Sequence, residues 1–434
     1  MNDQTGSAIQ LDHFGRSRAH SVEARRSLAH GVSSTARAKQ RPVPLLIERG
    51  EGAWITDADG NRFIDYALGY GPLILGHSPT PVLDAIRADL DRGLITASVH
   101  RGEAELAELV AACVPSAELT AFVSTGSEAV QLALRIARAA TGRLKVIKFR
   151  ANYHGWLDSV NVGTGPGNDG PATIGQDPHA AEALTILEWG DADALGRVLD
   201  ESYAAVLLEP AAINSGCFAP PPGFLARARA ITRSCGALLI FDEVITGFRM
   251  GLGGAQAYYG VTPDLSVLGK ALGGGLPIGA VSGTRAAMRP VDSGALSHRG
   301  TFNGQSLAIA AGIACLRVLQ AEGAALYQRM QSFAETLAAH VNAEASRLNL
   351  DVCAQQVGPA LQLFGGVRGL AGLHEVDRVD MEFTHALTEA LLYRGVHTIP
   401  RGVMYLSAAH GEAEIDATLA ALTGAMFAVR QARA

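Results

Sequence analysis

Cysteine is scarce in this 434-residue sequence: Cys113, Cys217, Cys235, Cys315 and Cys353 are scattered, odd in number and never at CxxC spacing. Most have aliphatic neighbours, so they read as small core residues of a reducing, cytoplasmic protein and not as a disulfide framework. No HExxH pair and no His/Cys cluster at ligand spacing occurs, so no metal is expected. A G-x-S-x-G elbow and a clean G-x-G-x-x-G after a strand are missing as well. No apolar run approaches the length of a membrane span, and the opening MNDQTGSAIQLDHFG lacks a basic segment followed by an apolar one. A formal net charge of -6 argues against nucleic acid or an anionic membrane as the main partner. There is no internal repeat, low-complexity tract or long charge run. What remains is a soluble chain, 48% hydrophobic, long enough for a large core and for two domains.

One stretch organises the rest: ALLIFDEVITGFRMGLGGAQAYYGVTPDLSVLGKALGGGLPIGA, from Ala237 to Ala280. It holds two short apolar runs, Ala237 to Phe241 and Leu265 to Leu268, each suited to a strand buried on both faces of a parallel sheet. The first ends in Asp242-Glu243. The second ends in Gly269-Lys270, followed by Gly273, Gly274 and Gly275. In open α/β sheets the ligand crevice lies beyond the carboxyl ends of the strands, so Asp242 and Lys270 should both face it. A Walker reading of Gly269-Lys270 fails, because Ala271 stands where Ser or Thr is needed and Asp264 where the first Gly belongs. An amine beside a carboxylate fits pyridoxal phosphate (PLP): the amine, its pKa lowered by burial and positive neighbours, forms a Schiff base with the cofactor aldehyde, and the carboxylate keeps the ring nitrogen protonated. Singly, such a Lys is more often a solvated loop residue and such an Asp a cap or turn residue. Together within one βαβ-sized interval they carry more weight.

The flanking text alternates strands and helices. A hairpin is expected around Asp59-Gly60 in GAWITDADGNRFIDYALG, and helix-like residues run from Ser21 to His30, ahead of GVSSTARA with its lone Arg37. Strands are expected at Leu119 to Val123, Leu144 to Phe149, Ala204 to Leu208 and Ile278 to Ser282, with helices at Glu103 to Val114 and from the STGSE turn to about Ala140. That pattern implies a doubly wound, mostly parallel α/β sheet over roughly Thr120 to Ser282. The turn Ser124-Thr125-Gly126-Ser127-Glu128 has two readings, an ordinary N-cap with a capping box or an anion cup made of first-turn N–H groups and hydroxyls. After RGTFNG the texture becomes Ala/Leu-rich helix, Ser306 to about Gln320 and Ala324 to about Leu348. Strand pieces at Ala360 to Phe364 and Val403 to Leu406 follow, with helices near Met381 to Tyr393 and Ala413 to Val429. Boundaries are placed at 1–70, 71–305 and 306–434, the first and last forming one smaller α+β domain around the large middle one.

The motifs STGSEA, NYHGW, LLEPAAIN, LLIFDEVITGFR, LGKALGGGLPIGA and RGTFNG, in that order from about Arg37 to His410, resemble the class III, fold-type I PLP-dependent aminotransferases. The likeness is strongest to the glutamate-1-semialdehyde 2,1-aminomutase branch. It implies a homodimer with PLP as cofactor, bound to Lys270 as a Schiff base and facing Asp242 at its ring nitrogen. It also implies Thr125, Gly126 and Ser127 at the phosphate, joined by Thr301 from the partner subunit, with Tyr153 stacked on the ring, Ile245 on the other face and Asn214 near the ring substituents. Arg37 sits where relatives present an arginine to the substrate carboxylate. The segment HTIPRGVMYLSAAHG, with Arg401, looks more like the D-phenylglycine and β-phenylalanine aminotransferases than the mutase. An amino-acid aminotransferase is therefore favoured, with the aminomutase and a racemase or epimerase on the same scaffold as alternatives. A cofactor-binding protein without turnover is the reading from another class.

Overall fold

The apolar runs become the strands of a twisted sheet, and their polar ends gather on one side of it. A computed structural model describes residues 13–94, 97–165 and 169–433. Among these, fourteen strands form three sheets. Near the N-terminus lie β1 (Ile47–Glu51), β2 (Trp54–Asp57) and β3 (Arg62–Asp65). The central sheet uses β4 (Leu119–Val123), β5 (Lys145–Phe149), β6 (Leu184–Leu187), β7 (Tyr203–Leu208), β8 (Leu238–Asp242), β9 (Leu265–Leu268) and β10 (Gly279–Gly283). The C-terminal part adds β11 (Val352–Val357), β12 (Ala360–Gly365), β13 (Val396–His397) and β14 (Val403–Tyr405).

The central order is β4-β10-β9-β8-β7-β5-β6, with β10 antiparallel to both neighbours and the remaining pairs parallel. The connection Gly269–Ile278 is too short to carry a crossover helix, so β10 returns antiparallel beside β9. Every residue of β7 and β9 is buried, as uninterrupted runs such as YAAVLL and LSVL require when both faces are covered. The mostly parallel α/β core agrees with the sequence reading, and so does the β2–β3 hairpin.

Other elements differ from expectation. The first helix runs from Gly15 to Ala24, not Ser21 to His30; only Ser17 is buried on it, so no apolar period marked its place. Arg37 sits in a one-turn helix, Thr35–Ala38. Strand β6 and the helix Ala192–Val198 went unread because the strand is a half-buried edge and the helix is short. The two long helices expected after residue 305 form one element, Ser306–Leu348, broken at Gly323, whose φ of 63° and ψ of -156° are non-helical. Its length and composition alone would suffice to cross a membrane. In this fold it lies against the helices Thr80–Leu90 and Arg101–Cys113 and against β11, burying Leu316, Leu319, Met330 and Leu337 in the largest apolar cluster. Strand β13 pairs parallel to β3, Val396 with Ile64 and His397 with Asp65, which ties the two ends of the chain together.

Candidate active site

Strands β8 and β9 are parallel neighbours, Asp242 opposite Val267, and both deliver their last residues to the same edge. The Asp242 side chain is buried. Its Oδ1 accepts the Val244 N–H at 3.1 Å and its Oδ2 lies 2.7 Å from Nδ1 of His154. Burial pulls the His154 pKa down despite the neighbouring carboxylate, so the ring is neutral and Nδ1 carries the proton that Asp242 accepts. Its Nε2 is buried with no partner among the described residues. Glu243, one residue on, turns to the other face of the strand. There it accepts from the Ala255 and Gln256 N–H groups and the Thr246 hydroxyl, anchoring the helix Gly254–Tyr259. Of the acidic pair only Asp242 meets the cavity.

Lys270 follows an extended Gly269 and has φ of +45°, a left-handed conformation that costs a residue with a β-carbon about 1–2 kcal/mol. Its Cδ packs on Gly71, where a β-carbon would stand 3.7 Å away and would also touch the Tyr405 ring at 3.6 Å. Burial lowers the amine to about 8, helped by the charges of Arg401 and Arg249 and opposed by Glu209 and Asp242. Roughly a tenth of the molecules then carry a neutral, nucleophilic amine at pH 7. Arg249 is itself buried, donating to the Leu406 and Gly71 carbonyls at 2.9 and 2.5 Å with its guanidinium 4.9 Å from the Tyr405 ring centre.

The helix Gly126–Thr141 begins at the end of β4. The capping box is real: Thr125 Oγ1 accepts the Glu128 N–H at 3.1 Å, and the Glu128 carboxylate accepts the Ser124 and Thr125 N–H groups at 2.9 and 3.0 Å. It leaves the first-turn N–H groups of Gly126 and Ser127 without a carbonyl above them, at the positive end of the helix dipole. The cap and the anion cup therefore coexist. Gly155, at φ of +92°, presses on this turn so closely that a β-carbon would overlap Ser127 Oγ.

A cavity of about 220 Å³ joins these parts. Thr125, Gly126, Ser127, Tyr153, Asp242, Ile245 and Lys270, all expected from sequence, line it. Asn214 does not line it, but Asn214 Oδ1 accepts from Arg401 Nη2 at 2.7 Å, while its backbone N–H reaches Glu209. Arg401 also stands off the wall, close enough for its charge to act on Lys270, Tyr153 and Tyr70. Arg37 is exposed and acts with Arg401 on Tyr70. Thr301 is exposed on the loop before the long helix and does not line the cavity of its own chain. Six lining residues were not read as site residues from the sequence, Val130, His154, Gly155, Glu209, Val244 and Thr246, and two of them, His154 and Glu209, are titratable. Glu209 closes β7 as Asp242 closes β8, so the strand-end argument could have found it. Buried, it accepts the Tyr153 N–H at 2.7 Å; burial and the charge of Asp242 push its pKa up to about 8.

The donor set fits one group throughout: an amine near neutrality for an aldehyde, a carboxylate for a ring nitrogen, an aromatic and an aliphatic side chain for two ring faces, and a helix N-terminus for a phosphate. Fold and site together define a fold-type I, PLP-dependent enzyme. Residues 35–355 match the family model described as aminotransferase class-III. The chain belongs to the class III aminotransferase family. It is 39% identical over 405 residues to glutamate-1-semialdehyde 2,1-aminomutase of Ignicoccus hospitalis, covering 91% of this chain and 95% of that protein. An omega-transaminase from Sphaerobacter thermophilus superposes with a TM-score of 0.88 at 32% identity, covering 98% of this chain and 99% of that one. A β-phenylalanine aminotransferase from Variovorax paradoxus superposes with a TM-score of 0.85 at 31% identity, covering 95% and 94%.

Proposed function

We propose that this enzyme moves an amino group between a carboxylate-bearing amino compound and a 2-oxo acid. The observation that carries the reading is Arg401, held by Asn214 Oδ1 at 2.7 Å and near enough for its charge to lower the pKa of the Lys270 amine, with Arg37 as a second cation; neither has an ion-pair partner among the described residues. A transferase takes two different acids in turn through one site, and two guanidinium groups without a carboxylate partner among the described residues suit that task. Bound PLP supplies an aldehyde that condenses with amines and a ring that takes up electrons from the neighbouring carbon. Lys270 is assigned as the attachment point and, once displaced by a substrate amine, as the base that moves the Cα proton. Asp242, held by His154 and the Val244 N–H, is assigned to the ring nitrogen. Gly126, Ser127 and Thr125 are assigned to the phosphate, with Thr301 supplied by a second copy in a homodimer, and Tyr153 and Ile245 to the ring faces. Asn214 orients Arg401 toward the substrate carboxylate.

A second reading is transfer within one molecule, as the name glutamate-1-semialdehyde 2,1-aminomutase describes, and the 39% identity over most of the chain favours it. The test is an amino-donor screen with pyruvate and 2-oxoglutarate as acceptors, run beside glutamate-1-semialdehyde. Acceptor-dependent amination supports the transferase. Formation of 5-aminolevulinate without an acceptor overturns it in favour of the mutase.

A further inference from the structure

Lys148, near the end of β5, is completely buried, and none of the roles above uses it. A buried ammonium is costly to desolvate, and no carboxylate pairs with it among the described residues. An apolar side chain would fill the same place at lower cost. What an ammonium adds is three N–H donors, and all three are engaged: Nζ donates to the carbonyls of Asn152 at 3.1 Å, Val160 at 3.1 Å and Val162 at 2.6 Å. These carbonyls belong to one loop and flank Tyr153, His154 and Gly155, three residues that line the cavity. The loop is closed at its base by the Ala151 N–H on the Gly163 carbonyl at 2.8 Å. The titratable groups facing Lys148 are Glu209 and Arg150, together with His154, whose ring is neutral.

We propose that Lys148 is a positioning residue, its ammonium gathering the Asn152, Val160 and Val162 carbonyls so that Tyr153, His154 and Gly155 are held against the cavity. The consequence for the cofactor rests on the PLP reading of that cavity; the consequence for the loop does not. The Lys148→Met and Lys148→Gln variants of the full chain, loaded with PLP, test both. Amides of residues 152–162 are expected to exchange with deuterium at least tenfold faster, with those of β7 and β8 within twofold of the unsubstituted protein. The dissociation constant for PLP is expected to rise at least tenfold, and the visible circular dichroism of the bound cofactor to weaken as its ring loses a fixed tilt. In a Tyr153→Ala background the same substitution should lower PLP affinity less than it does in the parent protein, since the share of its effect that passes through Tyr153 is gone while the shares through His154 and Gly155 remain. Equal loss of protection in the loop, β7 and β8, or additive effects of the two substitutions, overturns the proposal. If the loop loosens and PLP affinity holds, the clamp stands and the assignment of Tyr153 to a ring face of the cofactor falls. Should neither variant fold, the unsubstituted protein decides: residues 152–162 must exchange as slowly as β7, and exchange as fast as the exposed Ile174 and Gly175 refutes the clamp.

Discussion

Replacing Gly155 by alanine should disable cofactor binding through a side chain that it does not replace. The added β-carbon lands on Ser127, overlapping its Oγ and lying within 3.0 Å of its Cβ and Cα. Two costs arise. Holding φ near +92° with a β-carbon present costs about 1–2 kcal/mol, and overfilling a packed contact costs about 1–3 kcal/mol more. The part able to yield is Ser127, in the first turn of the helix that faces the cavity. Losing one donor to an anionic group costs about 1.5–3 kcal/mol, which is roughly a 10- to 150-fold rise in the dissociation constant for PLP. Titration of PLP into the cofactor-free protein, followed by tryptophan fluorescence, reads that rise. The double variant Gly155→Ala/Ser127→Gly isolates the cause. With Oγ and Cβ removed, the alanine should weaken PLP binding by less than about threefold beyond the effect of Ser127→Gly, because the backbone cost falls on the cofactor-free and the loaded protein alike. An affinity for Gly155→Ala within twofold of the parent protein, or an alanine effect as large in the Ser127→Gly background as outside it, refutes the reasoning.

Lys270→Ala should yield a protein that borohydride no longer fixes to PLP and whose turnover falls at least about 10³-fold, checked by mass spectrometry of the reduced adduct and by steady-state assay. Arg401→Gln should raise KM for carboxylate-bearing donors about 10- to 100-fold with little change in kcat, the mark of binding lost equally in ground and transition states. His410 bears on acid stability: its Nδ1 accepts the Ser407 N–H at 3.1 Å, its ring lies 4.5 Å from that of Tyr66, and burial lowers its pKa to about 4. A base depressed in the folded state contributes stability above its ordinary value of about 6.5 and loses it as pH falls toward 4, a loss of about 3 kcal/mol that should be missing from His410→Phe in urea unfolding at pH 7 and pH 4.

What the sequence made legible follows from where each signal is written. Asp242 and Lys270 end buried apolar runs, and the rule that strand ends face the crevice needs no more than that local text. The turn at Thr125 is likewise local, since strand, small polar residues and helix adjoin one another along the chain. Glu209 obeys the same strand-end rule; one of its partners, the Asn214 N–H, lies in the same LLEPAAIN stretch, but the other, the Tyr153 N–H, comes from a distant segment and no spacing announces it. His154 was hidden differently. Its pairing with Asp242 spans 88 positions, and a histidine inside NYHGW reads as one more loop residue until β5 and β8 are set in one sheet. Edge strand β6 left little periodicity because both its faces are only half covered. Residues whose role depends on an individual neighbour, such as Lys148 with three loop carbonyls, are readable only once the loop is closed, because a lysine in a β-strand carries no mark of what its donors will reach.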